Sequence, residues 1–409
     1  MAKKRDMEGN RLHHFELSGG NRTVRWILIG VLLVVGAVAL TFGLLKALET
    51  SAGWQKVDGP SAGLNCSHEF TLMYEFGAGE RSATEERKTL QPLYAEACVN
   101  AWKLFFNEAG QTDLTGLYAL NQQPNTQLQV DKHLYAAFKQ LEENGTRAIY
   151  LAPVYAAYNN LFYSDDETFA LDNDPTTDAY TKEYVANLTA FANDPEAIQL
   201  ELQADNRVIL RVSEEYLTFA KENEIANYLD FGWLRNAFII DYLAQKLTEN
   251  GFANGYISSV DGFVRNLDPR NTGYSFNLFD KGRAVAIMNY PGAASIAFLR
   301  SYPVYEEDYG RYYAFSDGRI VTSLIDPGDG QSKAATDQLV TYSREKGCAD
   351  LALAMLPVYV TEDLDEQLLS ELTKQEIYSI WFADSQLRYN LQDLQLQLHD
   401  ESYTPQLVN

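Results

Sequence analysis

From Trp26 to Leu45 the chain reads WILIGVLLVVGAVALTFGLL, twenty residues without a charge. At about 1.5 Å rise per residue, a helix of that length spans the roughly 30 Å hydrocarbon core of a bilayer. Beyond it the apolar positions take up two shorter periods. EFTLMYEF, residues 69–76, alternates like a half-buried strand, and Ala78-Gly79 ends it. Residues 84–109 place Leu90, Leu93, Ala97, Ala101 and Leu104 on one helical face. The segment 131–143 repeats that pattern behind Asp131, a good N-cap.

Between Ser164 and Asp205 an acidic stretch holds one helix, 178–192, and a strand, IQLEL. Within it, DNDPTTDAYTKE has acids at positions 1, 3 and 12 of a calcium loop, but Thr177 stands at the sixth, where such a loop needs Gly. A capped helix start is the better reading. Residues 207–212 and 227–232 flank another helix, followed by a long one at 234–249. Strands are expected near 255–265, 273–279 and 283–289. The C-terminal third reads as a strand (311–325), a DPGDG turn, a strand (338–343), a helix (348–358), then a helix and hairpin (363–391). Helices and strands mix without βαβ alternation, so the fold class is α+β. The boundaries are a basic tail at 1–25, an anchor at 26–48, a linker at 49–64, one domain at 65–391 and a loose tail at 392–409.

Charge gives the anchor its direction. Residues 1–46 carry seven Lys or Arg against three Asp or Glu, leaving 26 basic and 53 acidic groups in the rest. The positive-inside bias keeps the N-terminus in the cytoplasm and sends everything after about residue 47 across a bacterial membrane. The apolar run exceeds the roughly 7–15 residues of a cleaved signal peptide, and no A-x-A site follows it, which favours a retained signal anchor. The acidic excess outside disfavours nucleic acid as a partner. Only Cys66, Cys98 and Cys348 occur, enough for one disulfide in an oxidising compartment, with its pairing open.

The chain has no G-x-S-x-G, H-E-x-x-H, C-x-x-C, P-loop or G-x-G-x-x-G motif. Past the anchor only His68, His133 and His399 remain, each in a segment that reads as surface. What stands out is an ordered set of fragments: TGLYALNQQPNTQLQV (115–130), IYLAPVY (149–155), DFGWLRNAFIID (230–241), ISSVDGFVRNL (257–267), DGRIVTSLIDPGDG (317–330) and ADLALAM (349–355). This order resembles the FAD:protein FMN transferases, the ApbE family, across most of residues 65–391. Members of that family carry S-E-x-S-x-L-N, D-P-T, D-[LF]-G-G-x-A-K-G-Y-x-x-D, G-G-D, H-I-[IL]-D-P-x-T-G and A-D-A-L-A-T in the same sequence.

The resemblance implies an ApbE-type fold, a cleft for FAD, a magnesium ion and a flavoprotein acceptor that receives FMN on a threonine. Position by position, Asn121 keeps the L-N asparagine, and Asp230, Gly232 and Asp241 hold their places. Asn236 stands where the family has lysine, Asp261 falls in the G-G-D segment, Ser323 takes the histidine position and Asp329 the threonine position. Asp326 and Asp350 are the acids implied for catalysis, with Asp350 as the magnesium ligand and Ala354 in place of its helper threonine. Asn121, Asp230, Asn236, Asp241, Asp261 and Ser323 are the implied cofactor contacts.

Losing the lysine removes a charge that would stabilise phosphate in the transition state, and losing the histidine removes a group that titrates near neutrality. The resemblance therefore implies an anchored relative with weak or absent transfer and, at most, a flavin- or nucleotide-binding role. Two alternatives stay open: an active transferase rebuilt around a metal, which requires Asp261, Asp326 and Asp350 to converge, and a surface protein whose tyrosine-rich 305–313 segment meets a partner. Each acid also has a plainer reading. Asp326 to Gly330 is a strong turn sequence, Asp230 and Asp241 suit a helix they flank, and Asp350 suits a helix N-terminus. An alkaline phosphatase reporter fused after residue 409 should be active in intact bacteria; activity only of a cytoplasmic reporter would overturn the orientation.

Overall fold

Alternation along Phe70–Phe76 buries every second residue, as the sequence pattern predicts. In the computed structural model, which describes residues 50–108, 114–270, 272–304, 308, 310–383, 385–392 and 394–408, this strand belongs to the largest sheet. The expected anchor and basic tail lie outside the described residues. Among those described, no helix is long and apolar enough to cross a membrane. Residues 52–409 form one compact unit.

Along the chain the strands are β1 (Gly53–Val57), β2 (Phe70–Phe76), β3 (Gln127–Gln129), β4 (Ile198–Gln203), β5 (Arg207–Val212), β6 (Gly255–Ser259), β7 (Phe263–Asn266), β8 (Gly273–Asp280) and β9 (Arg283–Pro291). They continue with β10 (Ala294–Arg300), β11 (Tyr312–Ala314), β12 (Ile320–Thr322), β13 (Gln338–Ser343), β14 (Tyr378–Ala383), β15 (Gln386–Tyr389), β16 (Gln395–Leu398) and β17 (Thr404–Leu407). Nine of them make a sheet in the order β1-β2-β6-β7-β10-β13-β14-β15-β17, antiparallel except for the last pair. Helices Ala83–Phe105, Arg235–Glu249 and Cys348–Tyr359 pack together against one face. The smaller sheet β16-β9-β8 covers part of the other, where Leu278, Val285 and Met288 meet Ile296, Val340 and Ile380. The class is α+β.

Burial on both faces explains why the pattern reading has no strand at β10: six of its seven residues are buried, so it does not alternate. β13 stands where a strand is expected, at 338–343, with all six residues buried. Ile296 faces the small sheet while Ala297 and Leu299 face the helices. Short helices at Leu117–Gln122, Ala152–Phe162 and Glu167–Asp172 also went unpredicted.

Several boundaries need correction. The stretch read as a linker contains β1, paired from Gly53 opposite Phe76 to Val57 opposite Leu72. The stretch read as a loose tail contains β16 on β9 and β17 on β15. The expected strand 255–265 is two strands folded at Asp261-Gly262, where Gly262 has φ +107° and a Cβ would lie 2.3 Å from the Phe298 carbonyl oxygen. The expected strand 311–325 is a short hairpin, β11 with β12, turned at Gly318. His133 is not a surface residue. Its ring packs edge-on to Tyr242 and its Nδ1 lies 2.8 Å from Asp131 Oδ1. The calcium-like segment is the start of helix Ala179–Asn193, with Asp178 accepting from the Thr181 N–H.

Asp268 ties three strands together. Fully buried, it accepts hydrogen bonds from the Arg270 guanidinium and from the Tyr274 hydroxyl, while Arg270 also reaches Glu75 at 2.6 Å. Burial opposes its charge, but the Arg270 and Tyr274 bonds outweigh that and hold its pKa below the ordinary value. Its contribution to stability is complete above the ordinary Asp pKa of about 4 and is lost as pH falls through the lowered folded value. Urea midpoints measured from about pH 5 to about pH 2 should fall less steeply for Asp268→Asn than for the parent.

Candidate functional site

The start of helix Arg235–Glu249 is the centre of a cleft of about 960 Å³. Asp230 sets it up. Its carboxylate accepts from the Gly232 N–H at 2.7 Å and from Asn107 Nδ2 at 2.8 Å, turning the chain into the helix. Gly232 has φ +54°, and a Cβ there would lie 2.4 Å from the Tyr155 ring, so glycine is required. The next residues then face the cleft.

Arg235 Nη2 pairs with Glu69 Oε1 at 3.1 Å, and its guanidinium lies 4.0 Å from the Phe106 ring centroid. Burial works against its charge, but Glu69, Asp230 and Asp261 outweigh it and hold its pKa above the ordinary value. Asn236 Nδ2 donates to Glu69 Oε2 at 2.7 Å. Asn236 Oδ1, Trp233 Nε1 and Arg235 Nε are buried without a protein partner among the described residues. Trp102, Phe106, Tyr155, Phe162 and Tyr312 supply aromatic walls.

Asp261 sits on the β6–β7 turn, bonded to Ser259 Oγ. Burial, with Glu69 nearby, raises its pKa; the Ser259 bond and Arg311 pull the other way. Arg300 and Arg311 complete the cationic side of the cleft, and both meet Asp308. Each guanidinium in the cleft thus faces a carboxylate, so the wall is polar but nearly charge-balanced.

Asp230, Asn236, Asp261 and Ser323, four of the implied site residues, line this cleft. The other four stand outside its lining. Asn121 is buried and structural: its Nδ2 donates to Asn107 Oδ1 and the Leu229 carbonyl, and its Oδ1 accepts from the Tyr228 and Leu229 N–H groups. Asp241 accepts from the Cys348 and Ala349 N–H groups at 3.0 and 2.8 Å, closing the N-terminus of helix Cys348–Tyr359. Burial raises its pKa against those two bonds.

Asp350 sits in the first turn of that same helix. One oxygen accepts from the Gly347 N–H at 3.0 Å, the other from Gln140 Nε2 at 2.6 Å. Asp326 closes its turn by accepting from the Gly328 N–H and from Lys333 Nζ, both at 2.8 Å; Asp329 lies 2.7 Å from the same Lys333. Asp241 and Asp350 therefore meet at one helix end, while Asp261 and Asp326 belong to other surroundings. Among the described residues, no three His, Cys, Asp or Glu side chains form a metal site.

Solved structures of similar shape give this geometry its context. The ApbE protein from Thermotoga maritima superposes with TM-score 0.54 over 86% of this chain and 98% of that one, at 11% identity. A histidine-to-glycine variant of the flavin transferase ApbE from Vibrio cholerae gives 0.53 over 86% and 99%, at 14% identity. The fold is ApbE-like. No protein-family profile and no curated protein sequence matches the chain. The likeness at these identities is one of fold, and it agrees with the order of fragments along the sequence.

Within this ApbE-like frame the residue-by-residue reading passed over Glu69, Trp233, Arg235, Arg311 and Lys333. Arg235 left a signal, since it adjoins the position where the family has lysine. Glu69 depends on its pairing with Arg235, 166 residues on, whereas Lys333 pairs with the nearby Asp326 and Asp329 and Arg311 with Asp308. Asn121→Ala should cost about 2–4 kcal/mol, because it strands the Tyr228 and Leu229 N–H groups and takes the donor from Asn107 Oδ1. Asp350→Ala should cost only about 1 kcal/mol, as loss of a helix-end acceptor. Urea unfolding separates the two.

Proposed function

We propose that the chain is a membrane-anchored, extracytoplasmic ApbE-like protein. Its cleft binds a flavin nucleotide or a ligand of that aromatic class, and its FMN transfer is weak or absent. The cleft itself carries the reading: aromatic walls stand beside Trp233, Arg235 and Asn236, whose Nε1, Nε and Oδ1, two donors and an acceptor, are buried without a protein partner among the described residues. A flat ring with carbonyl and N–H groups on one edge suits that surface. In such a site Trp233 and Arg235 would donate to ring oxygens, and Asn236 would accept from a ring N–H.

The donor set does not fit magnesium. That ion demands near-octahedral oxygen ligation, and among the described residues Asp261, Asp326 and Asp350 do not gather into a group of oxygen ligands. The transferase chemistry of the family hands FMN from FAD to a protein threonine. Charge argues in the same direction. Arg235, Arg300 and Arg311 face carboxylates, leaving little net positive field for a pyrophosphate.

Titration of purified residues 52–409 with FAD, followed by quenching of flavin fluorescence, should saturate in the micromolar range with or without magnesium. Trp233→Phe keeps an aromatic side chain but removes the indole N–H and part of the ring; it should weaken binding at least about five-fold, the worth of a hydrogen bond of roughly 1 kcal/mol. No saturation at high micromolar FAD would leave an inherited fold used as an interaction surface. Magnesium-dependent labelling of a threonine acceptor would instead establish the active transferase.

A further inference from the structure

Cys66 and Cys98 lie far apart in sequence and together in the fold. Cys66 follows the loop that supplies Gly63, Leu64 and Asn65 to one wall of the cleft, and it precedes Ser67, His68 and Glu69 on the same wall. Cys98 lies inside helix Ala83–Phe105. The Cys66 N–H donates to the Cys98 carbonyl at 3.3 Å, and both side chains are fully buried in the main core. With ordinary bond lengths, that hydrogen bond holds the two Cα atoms within about 7 Å, inside the reach of a disulfide. The thiols neighbour each other, with Tyr94 beside them.

Cys348 has different surroundings. Its sulfur contacts the Val264 carbonyl at 3.4 Å, at the helix end held by Asp241. All three thiols are free and buried in this structure.

We propose that Cys66 and Cys98 form a disulfide in the mature protein, a covalent clamp between the cleft wall and the long helix. The inference rests on the extracytoplasmic placement above. Two thiols give up two protons and two electrons as the sulfur–sulfur bond forms; the electrons pass to a disulfide oxidant of the oxidising compartment, which leaves as two thiols. Burial pushes the Cys66 thiol well above its ordinary pKa, so thiolate is scarce once the core has closed. The bridge therefore forms during folding, before loop 60–66 docks. Cys348 remains a thiol.

Trypsin separates the three cysteines: Cys66 falls on peptide 57–81, Cys98 on 89–103 and Cys348 on 347–374. The full chain, carrying a C-terminal topology reporter, is made in a bacterial host, acid-quenched, alkylated and digested without reduction. The expected result is a linked 57–81/89–103 pair, separated by reductant, with 347–374 alkylated. Cys66→Ser and Cys98→Ser should each abolish the link, and Cys348→Ser should keep it. Reduction of the parent should lower its melting temperature by several degrees. Free 57–81 and 89–103 peptides from a chain whose reporter lies outside the cytoplasm would overturn the disulfide. If the reporter lies inside, the placement fails instead. The full chain refolded in detergent with a glutathione redox buffer then decides the geometry alone: linkage supports the pairing, and three free thiols refute it.

Discussion

Helix Arg235–Glu249 is buried at nine of its fifteen residues, and both ends of the functional geometry hang from it. Its first turn carries Arg235 and Asn236 to Glu69 at the head of β2. Two turns on, Asp241 accepts the first N–H groups of helix Cys348–Tyr359. A carboxylate at a helix N-terminus satisfies orphan donors and meets the positive end of the macrodipole. Because one rigid helix makes both attachments, the cleft and the second helix cannot shift independently. Gly347 shows how tight this joint is: a Cβ there would stand 2.4 Å from Asp241 Oδ2.

The same acid types serve opposite ends on the two sides of the molecule. Asp241, Asp326 and Asp350 spend their oxygens on backbone N–H groups, Lys333 and Gln140, which makes them parts of the frame. Asp230, Asp261 and Glu69 surround the cleft and set its electrostatics, holding Arg235 charged while cancelling its field. Such balance suits a neutral ring edge better than a phosphate chain.

The aromatic content finds two uses. Part of it fills the main core, where Tyr74, Phe76 and Phe252 pack edge to face. Trp102, Phe106, Tyr155, Phe162 and Tyr312 wall the cleft, so its surface is continuous with the core.

The sequence by itself determined the class and most of the frame. Periodicity located β2 and the helices around 83–105, 131–144 and 235–249, because those elements bury one face and expose the other; in the C-terminal third, apolar runs bounded by turn residues located β13 and helix Cys348–Tyr359. Capping residues set several of their starts. The ordered fragments pointed to the ApbE-like fold, since spacing along the chain survives when individual residues are replaced. Tertiary structure alone decided the rest. β10 is buried on both faces and loses its alternation; β1, β16 and β17 are short strands that form only by pairing with remote partners. Local sequence could not show that Asp230, Asn236, Asp261 and Ser323 share a cleft while Asn121, Asp241, Asp326 and Asp350 support it. Nor could it choose a neighbour for Cys66. Such choices belong to contacts between distant segments, which the packing of the whole chain fixes.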